Sequence, residues 1–203
     1  SYVPRDIMRV GIDPVSKFAA AARGHANLII SDYFHPRHFQ GQKFDVISSI
    51  SVFYDMNDPA WFVSRVAQLL APGGIWVIQQ NYLGDMLANT SFDNVCHEHL
   101  TYFSLQSLEH ILHRYNLRVF HVERDPINGG CIRTFVCSVH DSQYPQQSSV
   151  QQLRDQEARD LVNAIDPAEI VSFTAQQSQM ISWIVAAGGL SVDNFTQANA
   201  IFP

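Results

Sequence analysis

Cysteine is scarce in this chain. Cys96, Cys131 and Cys137 are odd in number and scattered, with no Cys-x-x-Cys pair, which argues against both a disulfide framework and a local zinc knot. That usage fits a reducing, cytoplasmic setting. Basic runs are absent and the net charge is −6, so composition lends nothing to a nucleic-acid or anionic-membrane surface, and small-molecule partners are favoured by default. No apolar stretch approaches the roughly 20 residues that span a bilayer. The opening Ser1-Tyr2-Val3-Pro4-Arg5-Asp6 lacks the apolar core of a signal peptide. Core-forming material is plentiful: 46% of the 203 residues are hydrophobic, enough for one sizeable domain, or one domain and the start of another.

The apolar residues fall into an alternating pattern. Arg9 to Ile12 is a short strand candidate ending at Asp13-Pro14, and Val15 to Arg23 reads as an alanine-rich helix stopped by Gly24. Asn27 to Ile30 and Phe44 to Ile50 are further strands. Pro59 to Leu70 has helical spacing through Phe62, Val66, Leu69 and Leu70, and Ile75 to Ile78 is a fourth, almost wholly apolar strand. Strand and helix alternating across short loops, with strands reading as continuous apolar runs, imply a mostly parallel sheet covered by helices on both faces. The expected fold class is therefore α/β, a Rossmann-like doubly wound sheet.

Ser104 is a candidate N-cap for a helix with Leu105, Leu108, Ile111 and Leu112 on one stripe, closing near Asn116. Two strands then follow in succession, Leu117 to Val122 and Ile132 to Val139, around the turn Asn128-Gly129-Gly130, so the sheet is expected to end in an antiparallel hairpin. From Tyr144 to Ser149 the chain is polar and glutamine-rich. Beyond it Val150 to Asn163 and Pro167 to Ala187 read as helices, the second capped by Asp166. Its apolar residues Ile170, Phe173, Met180, Ile184 and Val185 read as packing. The expected organisation is a core over 1–143 and a linker with the helical start of a C-terminal region over 144–203.

The most informative run is Asn94-Val95-Cys96-His97-Glu98-His99-Leu100-Thr101-Tyr102-Phe103-Ser104. Histidine titrates nearest neutrality, and a neighbouring glutamate can fix its tautomer or raise its basicity, so the cluster suits proton transfer. In an extended chain His97 and His99 share a face and Glu98 points the other way. The plainer reading is surface polarity ahead of a helix. A metal site at His97 and His99 lacks a clear third ligand.

In open parallel sheets ligands bind beyond the carboxyl ends of the strands, where an acid commonly accepts the two hydroxyls of a ribose. Asp13 sits at such a strand end, with capping of the next helix as the alternative. Asp32 ends the following strand and is a candidate for an adenine amino group, with Tyr33 or Phe34 against the ring. Ser49, at the end of the third strand, joins this cofactor-binding set. The glycine-rich turn that precedes such an acid by roughly 20 residues in a complete nucleotide-binding unit is missing, and the expectation is that the chain is truncated ahead of it.

Leu69-Leu70-Ala71-Pro72-Gly73-Gly74-Ile75-Trp76-Val77, read with Phe44-Asp45-Val46-Ile47, resembles the middle of a class I S-adenosylmethionine-dependent methyltransferase. The continuation Gln79-Gln80-Asn81-Tyr82-Leu83-Gly84-Asp85-Met86-Leu87, the histidine run, and Ile127-Asn128-Gly129-Gly130-Cys131-Ile132-Arg133 sharpen this. The ordered set is similar to the sugar C-methyltransferase family, which methylates the carbon beside the ketone of nucleotide-linked keto-sugars. The resemblance covers about residues 9 to 140.

That resemblance implies S-adenosylmethionine as cofactor, no metal, and a nucleotide-linked sugar as substrate. It assigns the active-site Glu-His pair to Glu98 and His99, His99 being the candidate base, with His97 secondary. The chemistry asks for this, because a carbon beside a carbonyl becomes nucleophilic only on losing a proton while its oxygen is stabilised. Relatives of this type carry a tyrosine where Cys96 stands and a histidine where Tyr54 stands. Tyr54 is a candidate hydrogen-bond donor to an enolate or else a buried structural tyrosine, and Cys96 reads as a small buried residue. Tyr82, Cys96, Tyr102, Asn128, Gly129, Gly130 and Arg133 complete the substrate-binding expectation. The glycines would let backbone amides approach an anion and Arg133 would pair with phosphate, unless the turn is a plain hairpin. The rival reading is a non-catalytic fragment of the fold that binds a nucleotide or a partner without turnover.

Overall fold

The computed structural model describes residues 6–163; the helix expected over Pro167–Ala187 lies outside them. Strand β1 (Val10–Ile12), helix α1 (Ser16–Ala22) and strand β2 (Leu28–Ile30) form the first unit, with β1 and β2 paired in parallel, Val10 opposite Leu28 and Ile12 opposite Ile30. Val15, expected inside the helix, is its extended N-cap residue. The Asp13 carboxylate accepts the Val15 N–H at 2.7 Å, so the helix begins one residue later.

Strand β3 spans Phe44–Ile50 as expected. Helix α2 (Pro59–Leu69) starts at Asp58, whose carboxylate accepts the Trp61 N–H at 2.8 Å while Pro59 occupies the first turn. Its apolar stripe, Phe62, Val63, Val66 and Leu69, is buried. Strand β4 (Leu70–Asn81) is much longer than the Ile75–Ile78 core expected. It pairs with β3 on both sides of the Pro-Gly-Gly turn, Leu70 opposite Phe44 and Ile75 opposite Val46, so the intervening residues bulge out. Gly73 has φ +74, and a Cβ on Gly74 would lie 2.9 Å from the carbonyl oxygens of Ala71 and Phe44, so this bulge requires glycine.

Helix α3 (Leu83–Asn89) was not expected; it is short, buries only Asp85 and Met86, and so has no apolar stripe to mark it. Helix α4 (Leu105–His113) is capped by Ser104, whose hydroxyl accepts the Ser107 N–H while Ser107 Oγ accepts the Ser104 N–H in return. Strands β5 (Leu117–Asp125) and β6 (Cys131–Ser138) form the expected antiparallel hairpin. Sheet order is β3-β4-β6-β5, with β3 and β4 parallel and both pairings of β6 antiparallel. The hairpin therefore tucks its second strand against β4.

Helices α2 and α4, with helix α5 (Ser148–Asn163), pack over one face of that sheet, around Trp76, Ile78, Val119 and Val136. Helices were expected on both faces, but among the described residues the opposite face of β3 stays open, with Val46 60% and Ile50 50% exposed. Residues from 144 as far as α5 pack on that core. Tyr144 stacks on Phe120 with centroids 4.9 Å apart, Arg154 pairs in bidentate fashion with Glu109 at 2.6 and 3.0 Å, and Val150 and Leu153 are buried. No helix of the described residues is long and apolar enough to cross a membrane.

Candidate active site

Two chain segments meet beyond the carboxyl ends of β3 and β4. One is the tight turn Phe53–Asp55 after β3; the other is the histidine run after β4. Apolar contact holds them together, since Phe53 and Phe103, 0% and 2% exposed, stack with centroids 5.0 Å apart, and Phe53 meets Trp76 edge-on at 5.6 Å. Each buried ring contributes about 1.5–3 kcal/mol. Backbone bonds finish the join: Leu100 and Thr101 N–H donate to the Tyr54 carbonyl at 3.0 and 3.1 Å, and Leu83 N–H donates to the Phe103 carbonyl at 3.0 Å.

These anchors bring Tyr54 and His99 together, ring centroids 4.4 Å apart, with Tyr102 6.5 Å from His99 on the same cluster. The His99 Nδ1 lies 2.7 Å from the Asn94 carbonyl oxygen, and the Tyr102 hydroxyl donates to that oxygen at 3.3 Å. A carbonyl only accepts, so Nδ1 carries the hydrogen and a neutral His99 keeps its lone pair on Nε2. Burial pushes the Tyr54 and Tyr102 phenols above their ordinary value. Burial also pushes the Asp55 carboxyl up, opposed by His99 nearby, and Asp55 Oδ1 is buried with no hydrogen-bond partner among the described residues.

The rest of the run faces outward. His97 Nε2 pairs with Glu98 Oε1 at 3.1 Å, with side chains 91% and 61% exposed. Glu98's own backbone N–H, then the Cys96 thiol, hold its carboxyl below the usual range. Cys96, expected to be small and buried, is exposed. Among the described residues no three His, Cys, Asp or Glu side chains gather as a metal-binding group.

Several expected contacts are spent elsewhere. Tyr82 is 1% exposed and its hydroxyl donates to Glu157 Oε1 at 2.9 Å, so it belongs to the core rather than to an open substrate surface. Arg133 directs its guanidinium to Gln79 Oε1 at 2.7 and 2.9 Å and to Glu123 Oε2 at 3.0 Å. Asn128, with φ 55, offers its carbonyl to the Asn94 amide at 2.6 Å. Gly129 and Gly130 have positive φ, and a Cβ on either would run into Ser91 or Asp85, so the glycines admit the segment after β4 against the turn.

The cofactor set divides likewise. Asp13 is half-buried and, among the described residues, uses only Oδ1, on Val15. Asp32 accepts the Tyr33 N–H on one oxygen and meets Arg37 and His38 with the other at 3.4 and 3.3 Å. The first of these contacts leads in holding its carboxyl below the usual range. Tyr33 is 77% exposed. Phe34 packs among Phe39, Trp61 and Phe62, and Ser49 is buried, accepting the Trp76 indole N–H at 3.1 Å; both serve the core instead of a strand-end ligand.

Sequence reasoning missed Asn94, Asn81, Asp55 and Glu157. Asn94 is 7% exposed; its side chain accepts from Asn81 Nδ2 at 2.9 Å and donates to the Asn128 carbonyl. The Glu157 carboxylate accepts the Leu105 and Gln106 N–H groups at 2.7 and 3.0 Å besides the Tyr82 hydroxyl, closing the start of α4. The side-chain partners of Asn81, Asn94 and Glu157 lie 13 to 75 positions away along the chain, and no local spacing marks them.

The family model described as a methyltransferase domain matches residues 1–122. Among curated proteins, the chain is 31% identical over 134 residues to the C-methyltransferase NovU of Streptomyces niveus, covering 62% of this chain and 31% of that protein. It thus spans about a third of the length of this relative. Among solved structures, it superposes on a chain of the complex between the Haloferax volcanii Trm112 methyltransferase activator and the putative methyltransferase, with TM-score 0.51, 16% identity and coverage of 66% and 72% of the two chains. An S-adenosylmethionine-dependent methyltransferase from Clostridium acetobutylicum matches with TM-score 0.50, 12% identity and coverage of 64% and 74%. At these identities the structural likeness is one of fold.

Proposed function

The chain belongs to the methyltransferase-domain family, and from that membership we propose that it is part of an S-adenosylmethionine-dependent enzyme that methylates carbon on a nucleotide-linked keto-sugar or similar carbonyl substrate. The observation that carries this reading is the state of the His99 ring. With Nδ1 donating to the Asn94 carbonyl, the neutral imidazole holds a lone pair on Nε2, which has no hydrogen-bond partner among the described residues. That is the protonation state a general base needs.

A proton beside a carbonyl leaves more readily when the oxygen that gains charge meets O–H donors held in place. Tyr54 is such a donor, whereas the Tyr102 O–H is given to the Asn94 carbonyl. Burial raises both phenols, so both stay protonated at neutral pH. His99 Nε2 takes the proton, the Tyr54 phenol holds the enolate oxygen, and the Phe53–Phe103 stack keeps the two loops in register. The name of the Streptomyces relative, a C-methyltransferase, supports carbon as the acceptor atom. Glu98 and His97 lie at the solvent side, where a polar substrate would arrive.

S-adenosylmethionine supplies an electrophilic methyl group when bound. Of the residues expected to hold it, Asp13 fits: it ends β1, and its Oδ2 has no hydrogen-bond partner among the described residues. Asp32 fits less well because both its oxygens are engaged. We take 1–143 as the catalytic core, with α5 of the following region docked on it, and place the protein in the cytoplasm, a reading supported by three free cysteines of which Cys96 is exposed.

One observation favours the rival reading, binding without turnover. Among the described residues β1 pairs only with β2, and β3 only with β4, so each has one open edge and the two sheets are not joined. Calorimetry with S-adenosylmethionine separates the two readings. The methyltransferase reading expects binding by this chain, and a His99→Gln variant that keeps binding while losing turnover by roughly two or more decades. No heat at millimolar cofactor sinks cofactor binding by this chain, and unchanged turnover in the variant removes His99 as base.

A further inference from the structure

Asn94 stands at the crossing of three otherwise separate parts of the site. Its side-chain oxygen accepts from Asn81 Nδ2 at the end of β4 at 2.9 Å, and its side-chain nitrogen donates to the Asn128 carbonyl in the β5–β6 turn at 2.6 Å. Its backbone carbonyl receives the His99 Nδ1 and the Tyr102 hydroxyl at 2.7 and 3.3 Å. The amide is 7% exposed, so a side chain unable to make those two bonds would leave buried polar groups unpaired. Gripping the side chain at both ends restrains the backbone beside it, and so the direction of that carbonyl.

We propose that Asn94 is the positioning residue of this site: its clamped side chain aims its carbonyl at His99 Nδ1, fixing the tautomer that leaves Nε2 basic. The proposal rests on the reading of His99 as the base, and it extends the machinery to the β5–β6 turn through Asn128. A group that accepts from one ring nitrogen fixes the hydrogen there and leaves the other nitrogen basic, because imidazole offers one donor and one acceptor in its neutral form.

The test is the nitrogen-15 spectrum of the histidine rings in the whole chain, with the His99 signals assigned by their loss in His99→Gln. The wild type is expected to show His99 with hydrogen on Nδ1. Asn94→Ala is expected to shift His99 toward the Nε2–H form that free imidazole side chains prefer, and to lower kcat on the order of tenfold at unchanged KM, less than loss of the base itself. Asn81→Ala removes the other end of the clamp, carries the same expectation, and serves if Asn94→Ala fails to fold. Asn89→Ala is the control: it removes a different bond to the same turn, Asn89 Nδ2 to the Gly129 carbonyl at 2.9 Å, and is expected to leave the tautomer alone. Hydrogen on Nε2 in the wild type, an unmoved tautomer in the clamp variants, or an equal shift in Asn89→Ala overturns the proposal. The spectrum is read without turnover, so failure of the methyl-transfer reading shows separately, as absent activity with the tautomer intact.

Discussion

The ring of Tyr54 stands edge-on to the imidazole of His99, centroids 4.4 Å apart and planes at 61°. Contact and hydroxyl are separable here. Tyr54→Phe keeps the ring and removes the donor, so kcat is expected to fall by about a hundredfold, as when one oxyanion donor is lost, while stability shifts by less than about 1 kcal/mol. Steady-state kinetics and a thermal melt check both; undiminished kcat would assign Tyr54 a packing role alone.

Tyr82 connects the core to alkaline pH. Burial, then the neighbouring Glu157 carboxylate, raise its phenol above the ordinary value of 10.0. The folded state therefore binds this proton more tightly than the unfolded chain does. The stability tied to it is fully present below about pH 10 and is lost as pH rises toward the folded-state value, by roughly 1.4 kcal/mol per pH unit. Urea unfolding at a series of pH values is expected to show that decline, with a shallower slope in Tyr82→Phe. Tyr54 and Tyr102 are shifted in the same direction, so part of the slope persists in the variant.

Glycines at positive φ are not equivalent here. Gly41, at φ +81, has nothing within 4 Å of a built Cβ, whereas on Gly130, at φ +122, the added atom would collide with the Asp85 side chain that pairs with Arg124. Gly41→Ala is expected to cost about 1 kcal/mol, from backbone strain alone. Gly130→Ala adds a clash and is expected to cost about 3 kcal/mol or more. Chemical denaturation of the two variants measures the difference, and equal costs would contradict the close approach of Asp85 to the turn.

Gln80 is 1% exposed, and among the described residues neither polar atom of its side chain has a hydrogen-bond partner. Thr134 Oγ1, on the same face of the sheet, is likewise buried without one. An apolar side chain of similar shape relieves the desolvation of such groups, so Gln80→Met is expected to leave stability unchanged or raise it by about 1–3 kcal/mol. A clear loss in the melt would point to an internal water bridging Gln80 and Thr134.

Much of the fold was legible because its signals are local. Helix α2 began at Pro59 and Ser104 capped α4 as expected, since such starts are settled within four residues. The apolar run of β3 was found from end to end. Helix α3 escaped because it buries too little to leave a stripe, and β4 was cut short because Pro-Gly-Gly reads as a turn while the strand pairs on either side of it. Of the candidate site, the His99 run and its place after β4 were readable from residue types and order.

The sequence by itself determined the alternation of strands and helices, the closing hairpin and the presence of titratable groups near neutrality, because each follows from neighbours a few positions apart. Tertiary structure alone decided which polar atoms are committed. Tyr82 is taken by Glu157 and Arg133 by Gln79, while Asn94 holds His99 in one tautomer and is itself held by Asn81 and Asn128. A buried donor or acceptor bonds whatever the fold brings within about 3 Å, however distant along the chain, and that choice leaves no local periodicity to read.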